Sequence, residues 1–300
     1  MPVSSHIRAV SLAALCALLL LAPLDTTRAE IVHGDATLWA VHGAAEGSTS
    51  YVFGTIHSDD ERVLELDSRV ERAFEDAERY AFELDFRKNI QAKMSQAMFD
   101  REPPTLRDQL SADTWESARS AASERGLPGQ AVALMKPWAL AITLAMPPIN
   151  PQKSLDKVLF DRAVGADGPV EGLETADEQL SLFADLPQSD QLAMLRRVLE
   201  MHGQDKIAPL FEDLTQRWLE GDLAGLMALS ESHPMLPDGE RNEAFEERVI
   251  QQRNERMAER ARPLIEQGGA FIAVGALHLP GERGLLRLLE QAGYTVEPVE

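Results

Sequence analysis

Phe271-Ile272-Ala273-Val274-Gly275-Ala276-Leu277-His278 is a short, β-rich apolar run that ends in a glycine and, three residues on, a histidine. Such a run, bounded by glycine, reads as a buried strand. A glycine-rich turn follows, with Pro280-Gly281 and Gly284, and then a helical pattern over about 283–291. Gly293 stops that helix, and Tyr294 to Val299 reads as a last strand. The same order stands near the other end of the chain. Ser50 to Gly54 runs into Gly54-Thr55-Ile56-His57, and Ser58-Asp59-Asp60 supplies turn and cap residues. A helical pattern spans about 63–79, with Val63, Leu66, Val70, Phe74 and Ala77 on one side. Tyr80 to Phe86 reads as the next strand. Strand, Gly-x-x-His, helix, strand thus occurs twice. We read this as a degenerate internal repeat, each copy a right-handed parallel βαβ unit.

Thr37 to His42 pairs with Ser50 to Gly54 as a hairpin around Gly43-Ala44-Ala45-Glu46-Gly47. Between the two repeat units the chain reads as mostly helical. The candidates are 88–100, 111–124, 130–146, 155–165, 176–185, 188–202, 205–219 and 241–266. One strand interrupts them, Pro169 to Leu173, ending at Glu174-Thr175. Prolines and glycines punctuate the pieces, and no linker is long or low in complexity. The expected fold class is α/β (α+β), a mixed sheet built from two strand–GxxH–helix–strand units with a large helical insertion over about 88–165. One domain is expected over residues 30–300.

The first residues read as an address. Arg8 gives a positive start, Ala9 to Leu24 is apolar, and Thr27-Arg28-Ala29 places small residues at −3 and −1. That is the layout of a secretory signal over residues 1–29, and the apolar run is shorter than the about 20 residues a spanning helix needs. An uncleaved anchor is the alternative. A periplasmic or secreted chain is expected, with no stable membrane span after cleavage. Cys16, inside the signal, is the one cysteine, so the mature chain has neither disulfides nor a thiol nucleophile. The formal charge is −20, and removing Arg8, Arg28 and Asp25 with the signal leaves −21. Such a surface repels phosphate backbones and argues against nucleic acid as a partner.

His57, Glu83, Glu174 and His278 all fall at or near the carboxyl ends of apolar strands. In open α/β sheets ligands bind outside those ends, so parallel neighbours would bring the four together. Two neutral imidazoles with one or two carboxylates suit a divalent metal, which lowers the pKa of a bound water. Without metal the same groups suit a general acid–base pair. The glycine before each histidine permits a tight strand end and close backbone approach. Asp85 shares a face with Glu83 by strand alternation, and both would meet solvent on an edge strand. In the helix 241–266, Phe245, Val249, Met257, Ala261 and Leu264 form an apolar stripe that contains Arg253, with Asn254 at its border. An inward arginine either neutralises a carboxylate, of the protein or of a substrate, or snorkels to water. His33, His42, His202 and His233 have no comparable context and read as surface or structural.

These motifs resemble the TraB/GumN family, related to the Tiki proteins, from about residue 36 to the end. The resemblance rests on Tyr51-Val52-Phe53-Gly54-Thr55-Ile56-His57, Glu83-Leu84-Asp85, Met135-Lys136-Pro137-Trp138, Glu171-Gly172-Leu173-Glu174-Thr175 with Glu178-Gln179, Arg253-Asn254, Gly275-Ala276-Leu277-His278 and Gly293-Tyr294-Thr295-Val296. It implies a metal-dependent hydrolase of a peptide or small amide, with manganese or cobalt before zinc. Carried onto this chain it implies His57, His278 and Glu83 as metal ligands, and Glu83, Arg253 and Asn254 as catalytic. Glu174 and Asp85 are further candidates. Unlike the Tiki pattern, no carboxyl-terminal anchor is expected. Bacterial members are associated with sex-pheromone shutdown or polysaccharide gene clusters. A periplasmic protein that sequesters a peptide, haem or metal, or an accessory factor of envelope or exopolysaccharide biogenesis, are the competing expectations.

Overall fold

The computed structural model describes residues 31–43, 49–88, 90–100, 102–236 and 239–299. The signal stretch 1–29 and most of the expected hairpin turn lie outside the described residues. Six strands are present: β1 (Leu38–His42), β2 (Ser50–Thr55), β3 (Arg79–Leu84), β4 (Val170–Glu174), β5 (Ala270–Gly275) and β6 (Thr295–Pro298). They form one sheet in the order β4-β3-β5-β2-β1-β6. β5 pairs parallel with both β2 and β3, and β3 pairs parallel with β4. β1 runs antiparallel to β2 and to β6.

The expected mixed sheet is therefore present, and each repeat unit joins two parallel strands. The units interlock rather than stand side by side. β5 lies between β2 and β3 of the first unit, and β2 and β1 lie between β5 and β6 of the second. One consequence decides the site: β2, β3, β4 and β5 end at the same edge of the sheet.

The helical readings hold in place and differ in continuity. The stretch 63–79 is two helices, Glu61–Leu64 and Ser68–Glu75, capped by Asp60 and Asp67, whose side chains accept the Arg62 and Arg69 amides. The stretch 130–146 is also two, Gly129–Ala133 and Pro137–Ala145. Pro137 at the first helical position starts a new helix, because its missing N–H is not needed there. The stretch 241–266 is Gly239–Glu246, a π-helical turn Glu247–Gln251, and Gln252–Gln267. A helix over Leu223–Glu231 was not anticipated; Gly225 in its first turn weakens the pattern.

Two apolar cores result. One wraps the sheet and takes in the helices Leu155–Gly165 and Leu285–Gln291. The other is helical, centred on Trp138, which stacks on Phe183. Phe86, Leu214 and Leu277 pack against both, so the two cores meet near the carboxyl edge of the sheet.

Candidate active site at the carboxyl edge of the sheet

Glu83 sits one residue before the end of β3, an interior strand, and is 7% exposed. The edge-strand alternative, with Glu83 facing solvent, does not apply. Its Oε1 accepts the Gly275 amide at 2.7 Å. Its Oε2 accepts Arg253 Nη2 at 2.6 Å and Gln179 Nε2 at 3.0 Å. Glu174, at the end of β4 and 3% exposed, accepts the same two side chains, Arg253 Nη2 at 2.6 Å and Gln179 Nε2 at 3.0 Å. Arg253 Nε also donates to both Glu174 oxygens, and Arg256 Nη2 reaches Oε1 at 3.3 Å.

Arg253 is 1% exposed. Of the two readings its position left open, carboxylate neutralisation is the one the fold adopts; it does not snorkel. The π-helical turn just before it widens the helix and leaves carbonyls off the regular ladder. Arg253 Nη1 donates to one of them, Val249 O, at 3.3 Å. Asp85 stays outside this network: it is buried but pairs with Arg87 at 2.8 Å and with Lys88 at 3.8 Å.

His278 closes the 3-10 turn Ala276–His278 after β5 and is 1% exposed. Asn254 Oδ1 lies 2.6 Å from its Nδ1, and Asn254 Nδ2 donates to the Arg283 carbonyl at 2.8 Å. The amide's orientation fixes the imidazole: Nδ1 carries the proton and Nε2 carries the lone pair. That Nε2 stands 3.8 Å from Glu83 Oε1. Burial, then the Arg253 guanidinium, pushes the His278 pKa down to about 3, with Glu83 opposing and His57 adding to the depression. At neutral pH the pair is therefore not an ion pair. Two acceptors face each other, and such a gap suits a donor or a cation.

His57 lies two residues beyond β2. Its Nδ1 is 2.6 Å from Asp156 Oδ2, and Thr55 Oγ1 donates to Asp156 Oδ1 at 2.6 Å. A carboxylate only accepts, so here too the proton sits on Nδ1. Local chain chemistry brings Asp156 in. The Leu155 amide donates to the Ser58 carbonyl at 3.0 Å, and the Asn150 amide to Asp59 Oδ2 at 2.7 Å. These bonds stitch the start of Leu155–Gly165 to the loop that carries His57.

The two Gly-x-x-His glycines act through close approach of protein to protein. A Cβ at Gly54 would stand 3.0 Å from Ala276 Cα, and one at Gly275 would stand 3.1 Å from Glu83 Oε1. The first lets the two histidine turns pack together. The second lets the Glu83 carboxylate seat on the Gly275 amide.

Of the four sequence-chosen strand-end residues, Glu83 lies beside His278 and is bridged to Glu174 by Arg253 and Gln179. His57 and His278 line one cleft with Thr55, Gly275 and Ala276. Asp156 and Gln179 are the polar residues that sequence reasoning passed over as site members. Asp156 reads as an ordinary first-turn helix acid, and Gln179 as an ordinary helix residue after Glu178. His33, His42, His202 and His233 bond elsewhere, to Glu290, Thr49, Glu124 and Ser232. The donors suit a divalent metal in kind: both imidazoles have their Nδ1 atoms fixed, as metal-bound histidines do. They do not close into a site as they stand. Among the described residues, no group of three or more His, Cys, Asp or Glu is arranged to hold a metal ion.

The His278 shift has a measurable consequence. Its folded pKa lies below the unfolded value, so acidification through about 6.5 towards about 3 favours the unfolded chain, which takes up the proton. Glu246 works in the other direction. Burial first, then Glu231 and Glu243, raises it from 4.5 to about 7, so the folded chain takes up its proton first and gains stability as pH falls through that range. Glu246→Gln is expected to steepen the loss of stability between pH 7 and pH 5.5. Urea midpoints at the two pH values check it, and an unchanged slope counts against the assignment.

Fold and site together define an α/β protein with an imidazole–carboxylate centre at the carboxyl edge of a mostly parallel sheet. The chain belongs to the TraB/PrgY/gumN family, whose model matches residues 37–298. Among curated proteins, it is 24% identical to "Metalloprotease TIKI2" of Danio rerio over 87% of this chain and 60% of that one. It is 24% identical to an uncharacterized protein of Treponema pallidum (strain Nichols) over 57% of this chain and 53% of that one. The chain thus spans little more than half the length of either relative. No solved structure matches it. Among the described residues no helix is long and apolar enough to cross a membrane.

Proposed function

We propose that this protein is a hydrolase of the cell envelope that cuts a peptide or small amide at the His57–Glu83–His278 centre, with a divalent metal as cofactor. The observation that carries this reading is the pair of facing acceptors, His278 Nε2 and Glu83 Oε1, 3.8 Å apart on two buried side chains. A cation or donor entering there would meet the imidazole lone pair and the carboxylate charge together. The similarity to a metalloprotease supports the reaction class. The apolar start of the chain supports export to the periplasm or beyond.

A bound metal would be held by the two histidines, with Glu83 as a third ligand or as the general base, manganese or cobalt before zinc, and it would supply an acidified water and a polarised carbonyl. The chain's own residues do the rest. Asp156 and Asn254 hold each imidazole through its Nδ1. As the general base, Glu83 accepts a proton from the attacking water. Arg253 holds Glu83 in place; it acts on the carboxylate rather than on substrate, and Asn254 acts on His278 in the same indirect way. The Gly275 amide fixes the other Glu83 oxygen.

Calorimetry of the purified protein with manganese, cobalt and zinc tests the cofactor. Micromolar or tighter binding is expected, lost by at least about a hundredfold in His57→Ala and in His278→Ala. Binding that survives both changes, or no binding to the unaltered chain, removes the metal from the proposal.

A further inference from the structure

The cleft that holds the two histidines is otherwise apolar. Besides Thr55, Gly275 and Ala276 its wall is Ile56, Leu277, Phe211, Leu214 and Leu226, and among the described residues no charged side chain lines it. On a chain of formal charge −20 that is a marked local departure. The wall is also built to stay in place. Phe211, Leu214 and Trp218 follow the i, i+3, i+7 spacing of one face of the helix Ile207–Leu219. Trp218 Nε1 donates to the Gly54 carbonyl at 2.8 Å, which ties that helix to the end of β2, three residues before His57. Leu226 comes from Leu223–Glu231, the helix that sequence reasoning did not foresee. Phe211, Leu214, Ile56 and Leu277 are half-buried, so the wall is open on the cleft side.

We propose that this wall is the subsite for a bulky apolar side chain beside the bond that is cut, so that the substrate is an uncharged, aliphatic or aromatic peptide segment. The proposal rests on the hydrolase reading above and adds its substrate class. An apolar wall ending on the two imidazoles places a side chain on the leucines and the adjoining amide group beside the histidines. A charged side chain entering there loses its hydration and finds no partner. Discrimination by one methylene in such a pocket is worth about tenfold or more.

The experiment offers the full chain, with manganese or cobalt present, a mixture of random-sequence peptides, and cleaved bonds are read by mass spectrometry. Leu, Met or Phe is expected at one position next to the cut, at least about tenfold over Ala, Asp or Lys. Leu214→Trp, which fills the wall, is expected to move that preference to Ala or Gly. Phe211→Ala, at a half-buried position, is expected to widen it to Trp. Cleavage with no apolar preference, or with one that neither variant moves, overturns the subsite and leaves the hydrolase reading standing. If no peptide is cut, the hydrolase reading falls, and binding of N-acetyl-leucinamide is measured by NMR against N-acetyl-aspartamide. Leucinamide binding that Leu214→Trp abolishes keeps the wall as an apolar binding site. Equal or absent binding of the two overturns it.

Discussion

Arg253→Met is expected to lower the stability of the folded chain by about 3–5 kcal/mol, the usual result of stripping one partner from a buried ion pair. The triad it breaks is closed from water. Arg253, Glu174 and Glu83 are 1%, 3% and 7% exposed. Arg253 reaches both carboxylates through Nη2 at 2.6 Å, and its Nε adds two further bonds to Glu174. Without it two buried anions share Gln179 and the half-buried Arg256, whose contact to Glu174 is 3.3 Å. Neither replaces a fully ionised fork. Methionine fills much of the volume, so the loss reports charge rather than a cavity. Arg253→Lys keeps the charge but not the fork, and is expected to recover only part of the loss. Adding Glu174→Gln to Arg253→Met removes one of the two orphaned charges. The double variant should therefore be more stable than the single, a coupling that urea denaturation measures directly. If Arg253→Met costs under about 1 kcal/mol, within the range of an ordinary surface change, the buried-triad account is wrong. The same variant has a spectroscopic reading. Arg253 is the second-largest cause of the depressed His278 pKa, after burial, so its loss should raise that pKa in an NMR titration.

The sequence made this triad half visible. A charged residue inside an apolar helical stripe is a local anomaly, and Arg253 was legible for that reason. What it pairs with was not, because Glu83 and Glu174 lie 170 and 79 positions away. The strand-end histidines were legible through a pattern that occurs twice, and the parallel strands then place them at one edge. The order of those strands was not, since helical connections of this length allow either neighbour or skipped pairing. Asp156 shows the limit most clearly. Its sequence context is that of any acid in the first turn of a helix, where the dipole favours negative charge. Only the backbone bonds from 150 and 155 to the loop after His57 turn it into an imidazole partner. The π-helical turn before Arg253 was equally hidden. Periodicity over 241–266 is read at a fixed angle per residue, and one wide turn changes the phase without changing which residues are apolar.

Glu83→Gln is expected to lower kcat for peptide or amide hydrolysis by about two to four orders of magnitude, the range in which a positioned proton acceptor contributes. KM should move little, because the apolar wall that would grip substrate does not involve Glu83. The change is nearly isosteric but not neutral for folding. Glu83 accepts on both sides, from the Gly275 amide at Oε1 and from Arg253 and Gln179 at Oε2. A glutamine has one acceptor oxygen, so one of those sides meets an NH2 group, at a cost of about 1–3 kcal/mol. Loss of rate must therefore be read on samples shown to be folded by their melting curves. Glu83→Asp separates the two effects. It keeps the charge for Arg253 but draws the carboxylate back by one methylene from His278 Nε2. It should retain more stability than Glu83→Gln and still lose rate, since a misplaced group of about 1 Å already costs up to about a hundredfold. Equal rates for Glu83→Asp and the unaltered chain, or a Glu83→Gln variant that keeps more than about a tenth of the rate, would make Glu83 a partner of Arg253 alone. The facing acceptors would then be a structural feature of the triad, and the proton acceptor would have to be sought at His57, which Asp156 already holds in the required tautomer.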